Sequence, residues 1–164
     1  MPYTIARMAR RRSKASLKQE LLEQLETQLA AARAAHAAAT EGAISDEARP
    51  ENDKDTRGLE QSYLARGHAQ RVLELETAVV AIAAMAVQPL EKVAIGALVT
   101  IEEDERSRQL YIAASGGGLV LGDDITVVTP TSPMGRALLG RSTDDECELV
   151  AGGAQRTLVI TEIA

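Results

Sequence analysis

The 164-residue sequence has no phenylalanine, no tryptophan and only three tyrosines, Tyr3, Tyr63 and Tyr111. Its 45% hydrophobic content therefore rests on Leu, Val, Ile and a large share of Ala. That composition suits long helices packed at close range and excludes a thick enzyme interior. A single cysteine, Cys147, excludes an internal disulfide, and two histidines, His36 and His68, provide no zinc-type ligand spacing. No run of about 18 apolar residues occurs, so no helix of the chain is expected to cross a membrane, and the first residues carry no signal-peptide core. The expectation is a cytoplasmic protein with no membrane partner. A formal charge of −6 also argues against a protein that coats nucleic acid. The exception is the basic start, Arg7, Arg10, Arg11, Arg12, Lys14 and Lys18, which is open to contact with RNA, with an acidic partner or with solvent alone.

What is present falls into two periods. From about Ser13 to Thr40, Leu17, Leu21, Leu25 and Leu29 recur every fourth residue, widened by Leu22 and Ala32. This is a helical stripe, with Ser16 and Gln19 as a capping box and Gly42 as the stop. A second stripe runs from Thr56 to Val87 through Leu59, Tyr63, Val72, Leu75, Val79, Ile82 and Met85, ending ahead of Pro89. Two helices of this length, each with one apolar stripe, bury those stripes most economically against each other as an antiparallel hairpin. The intervening turn, at about 42–56, is net acidic: Glu41, Asp46, Glu47, Glu51, Asp53 and Asp55 outnumber Arg49 and Lys54.

Beyond Pro89 the period changes to that of strands: Val93–Ile101, Gln109–Ala114, Leu119–Leu121, Ile125–Val128, Cys147–Val150 and Thr157–Ile163. They are separated by turn chemistry at 102–105, at Ser115-Gly116-Gly117-Gly118, at 122–124 and at Gly152-Gly153. The glycine run is read as a turn, because no helix follows it and no Lys-Ser/Thr pair completes a phosphate loop. Within this part, Pro130 stops a strand, Ser132 stands as an N-cap, Pro133 occupies the first helical position and Gly140 closes one short helix. The organisation is α+β: an N-terminal helical hairpin over 1–88 and a small antiparallel β domain with one short helix over 90–164.

A carboxylate cluster at the end of a projecting hairpin has a physical use. Two neighbouring carboxylates hold Mg²⁺ by inner-sphere bonds while leaving it waters. Charge and position alone favour a solvated, inert turn.

The segments IGALVTIEEDE, GDDITVVTPTSPMGRALLG and CELVAGGAQRTLVITEI resemble the FKBP-like C-terminal domain of the GreA/GreB transcript-cleavage factors through to the end of the chain. The resemblance implies that this domain docks on bacterial RNA polymerase at the rim of its secondary channel, with Ser132, Pro133 and Met134 as docking candidates. Gre factors often carry an acid just before this Ser-Pro, where this chain has Thr131. Gln70-Arg71-Val72-Leu73-Glu74-Leu75-Glu76 resembles the run that follows the Gre hairpin tip. The tip itself, Glu51-Asn52-Asp53-Lys54-Asp55-Thr56-Arg57, departs from the family motif and marks a divergent branch.

By that resemblance Glu51 and Asp55 are counterparts of the family's tip acids, with Asp53 third. They would support Mg²⁺ shared with the polymerase active centre, so that the polymerase hydrolyses backtracked RNA, whose 3′ end the factor meets only indirectly. The implied role is a monomeric activator of the polymerase, with no cofactor or stable metal of its own, and not a stand-alone enzyme. The alternative, motivated by the altered tip and the intervening Lys54, is a non-cleaving regulator that occupies the same channel. A prolyl isomerase is disfavoured because Tyr111 is the only aromatic residue of the C-terminal domain.

Overall fold

The computed structural model describes residues 12–47, 56–122 and 124–164. Helix α1 spans Lys14–Glu47 and helix α2 spans Thr56–Ala84, 34 and 29 residues. At 1.5 Å per residue they are roughly 50 Å and 43 Å long. They run antiparallel: Lys18 meets the end of α2 at Ala83, Arg33 pairs with Glu76, and Gly42 faces Gln61 near the far end. The leucine stripe read from the sequence is the seam, with Leu17, Leu21, Leu25 and Leu29 buried against Leu75, Ile82 and Met85. Burial fades toward the tip. Among the described residues, nothing in α1 beyond Leu29 and nothing in α2 before Leu75 is fully buried. His36 and His68 lie half-buried in that thinner stretch.

Both helix ends differ from the sequence expectation. Gly42 does not stop α1, which continues to Glu47. An interior glycine costs a helix only about 1 kcal/mol relative to alanine, and Gly42 stays out of the left-handed region that would end it. The cap is Ser13, whose Oγ accepts from Ser16 N–H at 3.1 Å, while Gln19 instead donates to Glu23 at 2.9 Å. Helix α2 ends at Ala84, three residues short of Val87. There Lys18 Nζ donates to the carbonyls of Ala83 (2.8 Å) and Met85 (2.7 Å), and Lys14 Nζ donates to Gln88 O. Cations thus satisfy carbonyls that a helix end leaves without partners. Part of the basic start is therefore structural, with Arg12 also paired to Glu20, whereas Arg7, Arg10 and Arg11 lie outside the described residues.

Six strands follow: β1 Leu98–Glu103, β2 Arg106–Ile112, β3 Val120–Leu121, β4 Ile125–Val128, β5 Glu146–Ala151 and β6 Ala154–Ile163, with helix α3 at Pro133–Leu138 between β4 and β5. The sheet order is β3-β4-β2-β1-β6-β5. Four of its pairings are antiparallel, so the expected antiparallel domain is present, and β2 and β4 add one parallel pair to it. The reason is the crossover: the loop at 113–119 and the short β3 turn the chain back, so β4 enters along β2 in the same direction. The expected strand Val93–Ile101 is also broken. Val93 bonds Arg141 O and receives Gly140 N–H, while Gly96 N–H reaches Ile112 O, so only the part from Leu98 onward joins the ladder.

The sheet is buried on both faces. One face, with Leu98, Tyr111, Ile125 and Val127, shares a core with the base of the hairpin through Leu17, Leu21 and Leu25. The other, with Val99, Ile101, Leu110, Ile112, Leu158 and Ile160, is closed by Val93 and by Leu138 of α3. Gly116, in the glycine turn, lies under Leu21: a Cβ there would come within 2.8 Å of Leu21 Cδ1. The hairpin is thereby seated on the β domain by its base, and Glu47 and Thr56 stand at its other end.

Candidate functional site: the Ser-Pro helix turn

The strand β4 stops where Pro130 removes a ladder donor, and the chain turns at once into α3. Ser132 has φ −70° and ψ 157°, the extended conformation of an N-cap. Its Oγ accepts from Gly135 N–H at 3.0 Å and donates to Thr129 O at 2.8 Å. The helix closes with Leu139 N–H on Gly135 O at 2.9 Å, and Gly140, at φ 76°, donates to Val93 O at 2.8 Å. The helix read from the sequence is present with its cap, its Pro at the first position and its glycine stop.

The three docking candidates occupy one turn but differ in what they offer. Pro133 is exposed. Ser132 is half-buried and its hydroxyl is used on both sides by the cap, so its role is to set the turn. Met134 is half-buried and packs against the second core. Sequence reading missed two residues. Gly135 is buried against the Thr129–Pro130 backbone, and a Cβ would lie 2.0 Å from Thr129 O, which no local propensity signals. Arg136, exposed on the next turn, donates from Nη1 to Thr131 O at 2.5 Å and stiffens the loop ahead of the helix. Its signal was present as a cation in the last turn of a short helix.

An open groove adjoins α3, lined by Arg136, Ala137, Arg141, Glu146, Glu148 and Thr157. Cys147, between the two glutamates in sequence, is buried as a structural thiol. Burial raises its pKa, Asp145 adds to the rise, and Arg141 opposes it.

The tip acids Glu51, Asp53 and Asp55 lie outside the described residues. Among the described residues no group of three or more His, Cys, Asp or Glu side chains is placed to hold a metal ion, and no helix is long and apolar enough to cross a membrane.

Comparison with known proteins identifies the domain that carries this turn. Residues 88–164 match the family model described as transcription elongation factor, GreA/GreB, C-terminal. A search of curated proteins returns no match. Among solved structures, the chain is similar to the GreA factor homolog 1 (Gfh1) of Thermus thermophilus at 21% identity, with 87% of this chain and 94% of that one covered and a TM-score of 0.39. It is similar to the Thermus aquaticus Gfh1 at 22%, covering 90% and 96%, TM-score 0.39. A third similarity is to the prokaryotic transcription elongation factor GreA/GreB from Nitrosomonas europaea, at 20%, covering 68% and 95%, TM-score 0.37. The domain at residues 88–164 is thus a GreA/GreB C-terminal domain.

Proposed function

We propose that the protein is a Gre-type transcription elongation factor that binds bacterial RNA polymerase at the secondary-channel rim and stimulates cleavage of backtracked transcripts. The observation that carries this reading is the family match over residues 88–164, which contains the Ser132–Gly140 turn. The hairpin supports it physically: its two helices, of 34 and 29 residues, run antiparallel, so that Glu47 and Thr56, which flank the acidic segment in sequence, stand roughly 40 Å or more from the helix ends at the β domain.

In this reading Pro133 contacts the rim while Ser132 and Gly135 fix the turn and Met134 anchors it to the core. Glu51 and Asp55, with Asp53 third, are hard oxygen ligands suited to Mg²⁺ shared with the polymerase active centre. Such an ion would supply Lewis-acid activation of water against a phosphodiester. The factor contributes carboxylates and position, and the polymerase contributes the catalytic site, so the protein acts as a regulator of an enzyme.

The test is a stalled, backtracked polymerase complex with Mg²⁺ and the purified protein. The reading expects shortened transcripts. Binding without shortening favours the non-cleaving channel regulator, for which Lys54 between Asp53 and Asp55 is the motivating feature. Absence of binding overturns both.

A further inference from the structure

We infer that the outer face of α2 is a self-association surface, on which a second copy of this chain lies antiparallel and pairs hairpin to hairpin. The inference rests on the hairpin alone and is independent of the proposed function.

The two helices of the hairpin differ on the faces they turn away from each other. Helix α2 meets α1 through Val72, Leu75, Val79 and Ile82. Among the described residues α1 exposes one large apolar side chain, Ile44, whereas α2 exposes five, Leu59, Tyr63, Leu64, Leu73 and Val80. Four of these five fall on one line. Leu59, Tyr63, Arg66, Gln70, Leu73, Thr77 and Val80 follow one another at alternating steps of four and three, and every one of them is exposed. That alternation is the spacing of a coiled-coil seam, and it lies on the side of α2 away from the seam already filled by α1. Leu59, Tyr63, Leu73 and Val80 are 58–70% exposed there, where a solvated helix face would carry polar residues.

The charges say what covers this stripe. Arg66 and Glu74 stand four residues to either side of Gln70, and Gln70 is also the middle position of the stripe. A two-fold axis at Gln70 therefore lays the stripe on itself along its whole length and sets each Arg66 beside Glu74 of the second copy. Parallel pairing would instead oppose Arg66 to Arg66. In the antiparallel register Leu59 lies across from Val80, Tyr63 from Thr77, and Leu73 from the aliphatic stem of Arg66. Among the described residues Arg66 makes no ion pair or hydrogen bond. Glu74 holds Arg71 at 3.6 Å and Gln70 at 3.3 Å, exposed contacts that are worth little and are readily exchanged.

From Leu59 to Val80 the stripe is roughly 32 Å long, so a helix face about 10 Å wide covers roughly 300–400 Å² on each copy. A stable dimer buries about 800 Å² a side. Pairing is therefore weak and concentration-dependent, with Kd on the order of 100 µM, and the monomer is the dilute form.

The test is sedimentation equilibrium of the full chain from about 1 µM to about 500 µM, a range that brackets this Kd, with helix content and thermal unfolding of each variant as folding controls. The parent is expected to pass from monomer to dimer. Leu73→Glu and Val80→Glu, both at exposed positions, are expected to stay monomeric throughout. Arg66→Glu and Glu74→Arg are each expected to weaken pairing about tenfold, and the two together to restore it. A parent that remains monomeric at the highest concentration overturns the inference and leaves the stripe to a foreign partner. A dimer that Leu73→Glu and Val80→Glu leave intact overturns it too, since pairing then belongs to another surface. If the double exchange fails to restore pairing, the antiparallel register about Gln70 is overturned.

Discussion

The carbonyl oxygen of Thr129 is seated against Gly135 so closely that a Cβ at Gly135 would lie 2.0 Å from it. Neither partner can retreat, since the contact is to backbone on both sides and Gly135 is buried at the centre of α3. Gly135→Ala must therefore displace the helix from the strand end. The expected cost is about 3 kcal/mol or more, above the usual range for overpacking a core, read as a lower Tm. Ser132→Ala is milder, about 1–2 kcal/mol, because it removes a cap but no space.

The β1–β2 hairpin turns on two residues, Asp104 and Glu105, at φ 50° and 62°. Both sit in the left-handed region with side chains that are not glycine. Replacing them with Asn-Gly supplies the residues that such a turn prefers, and is expected to stabilise the protein by about 1 kcal/mol. Denaturant unfolding reads this as a higher midpoint with an unchanged slope.

Lys18 bonds at once the carbonyl of Ala83, in the last turn of α2, and that of Met85, just beyond it. Lys18→Met keeps the stem and removes the ammonium, and is expected to cost about 1–2 kcal/mol. Hydrogen exchange should show the loss concentrated in the last turn of α2.

Two groups set the alkaline limit of the fold. Burial raises the pKa of Cys147 above its usual 9.0 and that of Tyr111 above 10.0. Both are neutral acids, so the unfolded chain ionises first. Their contribution is complete below about pH 9 and is lost as pH rises through the folded values. Stability should fall above that pH, and less steeply in Tyr111→Phe, whose parent hydroxyl is buried with no hydrogen-bond partner among the described residues. Tyr111→Phe should itself be neutral or stabilising at pH 7, because it removes a desolvated polar group.

How much of this was legible in the sequence depended on how local the cause was. The Leu17–Leu29 stripe and the Ser132-Pro133 start followed from rules that act within a turn or two. Gly42 was misread because a glycine stops a helix when it takes a left-handed φ, and Gly42 does not. The break between Val93 and Leu98 depends on bonds to Gly140, Arg141 and Ile112, which no local pattern announces. The parallel β2–β4 pair likewise follows from a crossover and not from composition. At the Ser-Pro turn, the docking candidates Ser132, Pro133 and Met134 stand together in the sequence, but that Ser132 caps, Pro133 is exposed and Met134 packs on the core appeared only with the cap and the core contacts.

The most direct measurement of the central claim is Mg²⁺-dependent transcript shortening in a backtracked polymerase complex, comparing the parent protein with the Glu51→Ala, Asp55→Ala double variant at saturating concentration. The account predicts shortening with the parent and its loss with the double variant, at equal polymerase affinity, because the proposed reading gives the tip acids the Mg²⁺-supporting role and the Ser-Pro turn the dock. Shortening that survives in the double variant would contradict it.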